Sequence, residues 1–442
     1  MSVRLFTFAA VVGAAIVLRG SQEGETVRLP DREVYVRSPN YDEAKVPPYA
    51  LEDPLTFVDG RRVTRETWPV RRREILDIFA REMYGAEPPQ PETVEVELRD
   101  EKIGAACGFA VRRQYRMWFR KDRSGPFIDW IAWLPRYAKK PVPVISFLNY
   151  YGNQELVPDE DIPMPESRRG KSPNRGIMQN PNHRYQFPLQ MILARGYAVM
   201  SACYEDISSD PDPDKDGLGT SQAAKAYDRV FELWGPRDPK RTDNPTALGA
   251  WAWGLCRGLD LACRIPEIDA KKAVVTGCSR VGKAALVAAA RDERFAVCVP
   301  NQTGGGGVPL AKRDYGENIS TENRMFTHWY CTAYAKYAKA PHLTMPFDQH
   351  LFVACVAPRA LLVQGFDAAW FDPKGEWLSV CAASPVWTLF GRGGLAGDIP
   401  DYYDTSAIGT YLGYVRRTEA HGLAAVDWTW TMDFADGVFG KR

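Results

Sequence analysis

From residue 127 onward, short runs rich in apolar and β-branched residues alternate with longer stretches whose apolar positions recur at helical spacing. The runs fall at 127–134, 142–148, 198–203, 272–276, 295–299 and 360–364, and the helical stretches are clearest at 248–264, 281–291 and 423–438. Strands interleaved with helices in this way predict an α/β fold, a largely parallel sheet covered on both faces. Upstream, Thr67-Trp68-Pro69 opens a helix in which Ile75, Ile78, Phe79 and Met83 form one apolar face until Gly85, which suits packing on the outside of the core. No internal repeat or linker divides the chain. The stretch from Pro158 to Pro188, rich in Pro, Arg, Asn and Ser, is too long for an ordinary connection, and such loops usually shape a site.

Leu5 to Leu18 is an uncharged apolar run behind Arg4 and ahead of Arg19-Gly20-Ser21-Gln22. By length and flanks it reads as a secretory signal, residues 1–21, ahead of a single domain at 22–442. It is too short to span a bilayer comfortably, and no later segment reaches 18 apolar residues. A secreted or periplasmic protein is expected, with no membrane contact beyond the signal. No Ala-x-Ala marks the cleavage site, so an uncleaved anchor is the alternative.

Composition narrows the field. Fifty-six Lys and Arg against 55 Asp and Glu leave a charge of +1, without the single-sign field a nucleic-acid binder needs. Nine Cys without a Cys-x-x-Cys pair read as buried free thiols, and five scattered His lack His-x-x-x-His spacing, so neither a metal nor a cofactor is expected. The acidic turn at 212–217 imitates the start of a calcium loop, but its twelfth position is Ala223 where a bidentate Glu belongs. Thirteen Trp and twenty Tyr leave aromatics to spare as sugar platforms.

The most informative segment is Ala273-Val-Val-Thr-Gly-Cys-Ser-Arg-Val-Gly-Lys-Ala284, a strand, a glycine turn and a helix. Gly277 to Lys283 has the spacing of a phosphate loop, yet position 284 is Ala where the magnesium-binding hydroxyl belongs. The other reading is a nucleophile elbow that lifts Ser279 to the start of a helix, although Gly282 falls one residue late for Gly-x-Ser-x-Gly. An ordinary glycine-rich turn is the plain alternative. An elbow predicts an acid and then a His downstream. His328 lies in an aromatic stretch that reads as helix, His342 follows a proline, and His350 precedes an apolar run. Only His421 lies between a last strand candidate, 408–416, and the last helix, the place of a triad base.

These motifs, with Asn149-Tyr-Tyr-Gly-Asn153, Ala250-Trp-Ala-Trp-Gly254, Trp370-Phe-Asp-Pro-Lys-Gly-Glu376 and His421-Gly422, resemble the glucuronoyl esterases, most specifically in Gly-Cys-Ser-Arg-x-Gly-Lys. The resemblance implies an α/β-hydrolase fold, a three-layer α/β/α sandwich, and a monomeric enzyme without cofactor. Its substrates would be esters joining 4-O-methyl-glucuronic acid of glucuronoxylan to lignin alcohols. Ser279 is then the nucleophile, His421 its base and Arg280 part of the oxyanion site, while Lys283, Glu317 and Trp370 contact the sugar. Taken alone, the last three read as an exposed helix Lys, a loop Glu and a packed Trp. The acid departs from the family pattern, because Gln302 and Ala368 stand at the two positions where the family carries carboxylates. Asp367, at the end of the 360–364 strand, is the favoured acid, ahead of Asp372. Another carbohydrate esterase on the same elbow, or a carbohydrate-binding relative with a decayed triad, are the alternative functions.

Overall fold

The computed structural model describes residues 24–28, 32–168, 174–212 and 224–441. The apolar run at 5–18 and most of the 212–217 turn lie outside these residues. Among the described residues no helix is long and apolar enough to cross a membrane.

A nine-stranded sheet organises the chain. After a small hairpin of β1 (Glu25–Arg28) and β2 (Glu33–Val36), its strands are β3 (Glu95–Ala105), β4 (Ala110–Trp118), β5 (Phe127–Pro135), β6 (Val142–Asn149), β7 (Ala198–Cys203), β8 (Ile268–Cys278), β9 (Val297–Asn301), β10 (Ala360–Phe366) and β11 (Leu412–Arg417). They lie in the order β11-β10-β9-β8-β6-β7-β5-β4-β3. The six from β11 to β7 run parallel; β5, β4 and β3 are added antiparallel at one edge. β6, every residue of which is buried, is the central strand that helices on both faces demand.

The principal helices are α1 (Trp68–Phe79), α2 (Leu189–Ala194), α3 (Ala247–Ala262), α4 (Arg280–Arg291), α5 (Ile319–Met325), α6 (Gln349–Ala354), α7 (Pro373–Leu389) and α8 (Ala425–Phe439). Two apolar cores make the layers. One joins the sheet to α1, α3, α4, α6 and α7, and the other joins its opposite face to α2 and α8. α4 is alanine-rich and buried from Val281 to Ala290, so its small side chains let it lie close under the sheet. α3 starts where the Thr246 side chain accepts from Gly249 N at 3.1 Å. It approaches the sheet closely at Gly258, where an added Cβ would lie 2.4 Å from the Trp130 ring. The resulting three-layer α/β/α sandwich is the α/β-hydrolase fold.

Candidate active site

The carboxyl ends of the parallel strands meet along one rim, where open α/β sheets place their ligands. β8 delivers Ser279, β9 Gln302, β10 Asp367, β11 the loop to His421, and β7 the segment that reaches Asp210.

Ser279 has φ 59° and ψ −132°, a conformation that costs a side-chain-bearing residue about 1–3 kcal/mol. Its surroundings hold it there: Ser279 N donates to Asn301 O and Lys283 N to Ser279 O, both at 2.9 Å. Both glycines are required. A Cβ on Gly277 would lie 2.4 Å from Val281 O, and one on Gly282 would lie 2.6 Å from Gly277 O. The late glycine of the sequence motif thus closes the elbow by packing on Gly277. Tyr150 buttresses the turn, its hydroxyl donating to Cys278 O at 2.6 Å.

Arg280 begins α4, its amide at the helix N-terminus where negative charge is favoured. Its guanidinium is ion-paired to Asp210 and lies 4.8 Å from the Trp329 ring. Asp210 is also bonded to His328 Nε2 at 2.7 Å, Trp329 Nε1 at 2.9 Å and the Tyr204 hydroxyl at 2.9 Å. Burial works against its charge, but Arg280 and His328 hold its carboxyl well below the usual range. Sequence reasoning missed this buttress, because Asp210 has no motif around it and its partners come from 204, 280 and 328–329. The aromatic stretch expected as helix is irregular at His328, after α5 ends at Met325.

Lys283 is 2% exposed, not the open helix cation of its plain reading. Its Nζ lies 3.2 Å from Glu317 and 4.0 Å from the buried Glu322. Glu317 N donates to Trp370 O at 2.8 Å, which draws the two expected sugar ligands together. With Tyr315, Asn318 and Glu322, Glu317 and Trp370 line a small open pocket.

His421 is packed against Phe371 and Phe366, ring centroids 4.7 and 5.4 Å away. Burial, with the charges of Arg184, Arg280, Arg417 and Lys283, pushes its imidazole down to about 3. Nδ1 lies 2.8 Å from Gln302 Oε1. This corrects the expectation for the acid: Asp367 is exposed, its N–H donates to Arg417 O at 2.9 Å, and its carboxylate meets Tyr402 rather than His421. Asp372 is the N-cap of α7, accepting from Gly375 N at 2.9 Å and from Arg313 Nε at 2.9 Å. Among the described residues, no group of three or more His, Cys, Asp or Glu side chains could hold a metal ion.

A strained serine at a strand-to-helix elbow on a mostly parallel sheet is the arrangement of an α/β-hydrolase. A protein-family model described as glucuronyl esterase, fungi, matches residues 198–391. The chain is 34% identical over 425 residues to Carbohydrate esterase MZ0003 of an unknown prokaryotic organism, covering 93% of this chain and 95% of that one. A solved glucuronoyl esterase from Solibacter usitatus shares 33% identity at a TM-score of 0.81 over 90% of this chain and 100% of its own. A promiscuous CE15 esterase from the marine bacterial metagenome shares 31% at a TM-score of 0.79, with the same coverage. The chain belongs to the glucuronoyl esterase family and is a carboxylic-ester hydrolase.

Proposed function

We propose that this chain is a secreted, monomeric serine esterase that releases (4-O-methyl-)glucuronic acid from its esters with lignin alcohols. Ser279 Oγ attacks the ester carbonyl as His421 Nε2 accepts its proton, the alcohol leaves with that proton, and water then hydrolyses the acyl-enzyme. The observation that carries this reading is Arg280. Its guanidinium is fixed by Asp210 beside the strained Ser279, and its buried Nε–H meets no protein acceptor among the described residues. A developing oxyanion would complete that donor. Lys283, Glu317 and Trp370 hold the uronate through hydroxyl hydrogen bonds and an indole face. A polymeric substrate of the plant cell wall fits the signal-like N-terminus.

Purified protein assayed on benzyl glucuronate beside 4-nitrophenyl acetate tests the reading. A kcat/KM far larger on the glucuronate, abolished by Ser279→Ala, is the expected result. Comparable rates would favour a broad carbohydrate esterase, a reading supported by the promiscuous CE15 relative. Inertness on every ester would favour a carbohydrate-binding role.

A further inference from the structure

The Gln302 amide faces His421 in an orientation that its neighbours dictate. Gln302 is fully buried and has φ 49°, with its backbone N–H donating to Gln364 O at 2.7 Å. Gly422 then engages both ends of the side chain: Gly422 N donates to Oε1 at 3.1 Å, and Nε2 donates to Gly422 O at 2.9 Å. Turning the amide over would set NH₂ against N–H and oxygen against oxygen, losing both bonds. The oxygen is therefore the end that meets Nδ1 of His421. An amide oxygen only accepts, so Nδ1 must carry the hydrogen and Nε2 keeps its lone pair, the tautomer a general base needs.

We propose that Gln302 is the positioning residue of His421, taking the place of a triad carboxylate, and that this esterase works without an acid at Nδ1. The inference rests on Ser279 and His421 being nucleophile and base. An amide that presents its NH₂ to a catalytic imidazole imposes the wrong tautomer, at a cost of about 10⁴ in kcat. The lock on Gly422 avoids that loss and leaves only the missing charge.

The loop around His421 is held independently of any charge at Nδ1. Arg417 donates to Ala420 O at 3.2 Å and to Gly422 O at 2.8 Å, on either side of His421, while Asp427 pairs with its guanidinium at 3.0 Å. Asp427 also accepts from Ala424 N at 2.8 Å, so it is engaged away from Nδ1. The charged and titratable groups around the ring are Arg184 and Tyr185 from the 158–188 stretch, Arg280 and Lys283 from α4, and Arg417 from β11. Cys278 lies beyond, its Sγ 3.9 Å from Gln302 Oε1. The imidazolium formed during catalysis thus meets cations and an amide where related enzymes supply a carboxylate.

The tautomer is measurable in the wild type by two-bond ¹H–¹⁵N correlation of His421 at neutral pH. A hydrogen on Nδ1 is expected, and one on Nε2 overturns the proposal. Gln302→Glu should raise kcat about tenfold or more and move the acid limb of kcat/KM upward by about one pH unit or more, because the new charge favours the imidazolium. An unchanged kcat with an unmoved limb overturns it. Gln302→Met, similar in size but unable to accept the bond, should lower kcat about a hundredfold or more with KM little changed, and full activity would again overturn it. Ser279→Ala separates the two readings. Activity retained there removes the catalytic assignment itself, whereas an inert Ser279→Ala beside indifferent Gln302 variants removes only the role of Gln302.

Discussion

Ser279 holds a positive-φ backbone conformation at a position where a plain glycine turn would have put glycine, as expected of a nucleophile elbow. Its hydroxyl becomes nucleophilic only when an imidazole accepts the proton. Ser279→Ala and His421→Ala should each lower kcat by roughly 10³ or more, and the double variant should lose little beyond that, because the two groups act as a unit. Steady-state kinetics on a glucuronate ester read this directly. Arg280→Ala should lower kcat by about 10² to 10³ with an unchanged circular dichroism spectrum. A change confined to KM would make Arg280 a substrate ligand instead. At this scale the places of Ser279, Arg280 and His421 along the strand-end rim were legible because each lies in or beside a local motif. Asp210 was not, and Asp367 was misjudged for a related reason: a strand end fixes where a residue sits, while the partner of its side chain depends on a distant loop at Tyr402.

The loop from β11 to α8 does for His421 what the elbow does for Ser279. Arg417 and Asp427 are both buried without exposure, and their pair ties the end of the strand to the first turn of the helix. Removing one partner of such a pair strands a buried charge and costs about 3–5 kcal/mol. Asp427→Asn should therefore lower unfolding stability by about that much in a denaturant titration. It should also reduce kcat, because the His421 loop loses its anchor; an unchanged stability would show that the pair is dispensable. The elements around this loop were read from sequence with uneven success, for physical reasons. The buried parallel strands announce themselves as apolar runs. β3, Glu-Val-Glu-Leu-Arg-Asp-Glu-Lys-Ile-Gly-Ala, is an edge strand whose outward charges hide the alternation. α7 was overlooked because it carries Pro373, Gly375 and Pro385, although Pro373 sits in the first turn, where no N–H is needed.

Across the whole molecule, buried titratable groups of opposite sign should set the pH at which the fold is most stable. His421 and His350, which titrate near 6.5 when free, are pushed down to about 3 and about 4, chiefly by burial. Each resists protonation when folded, so the stability it lends above pH 6.5 is lost as pH falls through that window. Burial acts the other way on carboxyls. It pushes Asp348 up to about 6, and it holds Glu322 and Glu376 above the free value of 4.5. These groups favour the folded state while protonated, so stability falls as pH rises past the range in which the unfolded chain ionises them. The histidines depress the acid side and the carboxyls the alkaline side, which places the maximum of Tm between about pH 4.5 and 6.5. Glu376→Gln is the sharper test, because Gln keeps the shape and cannot ionise. In calorimetry at fixed ionic strength, the drop in Tm from pH 5 to pH 8 should be smaller in Glu376→Gln than in wild type, whatever the packing cost common to both pH values. An identical drop would mean that the Glu376 carboxyl titrates normally in the folded protein, and the alkaline slope would then have to come from Glu322 and Asp348 alone.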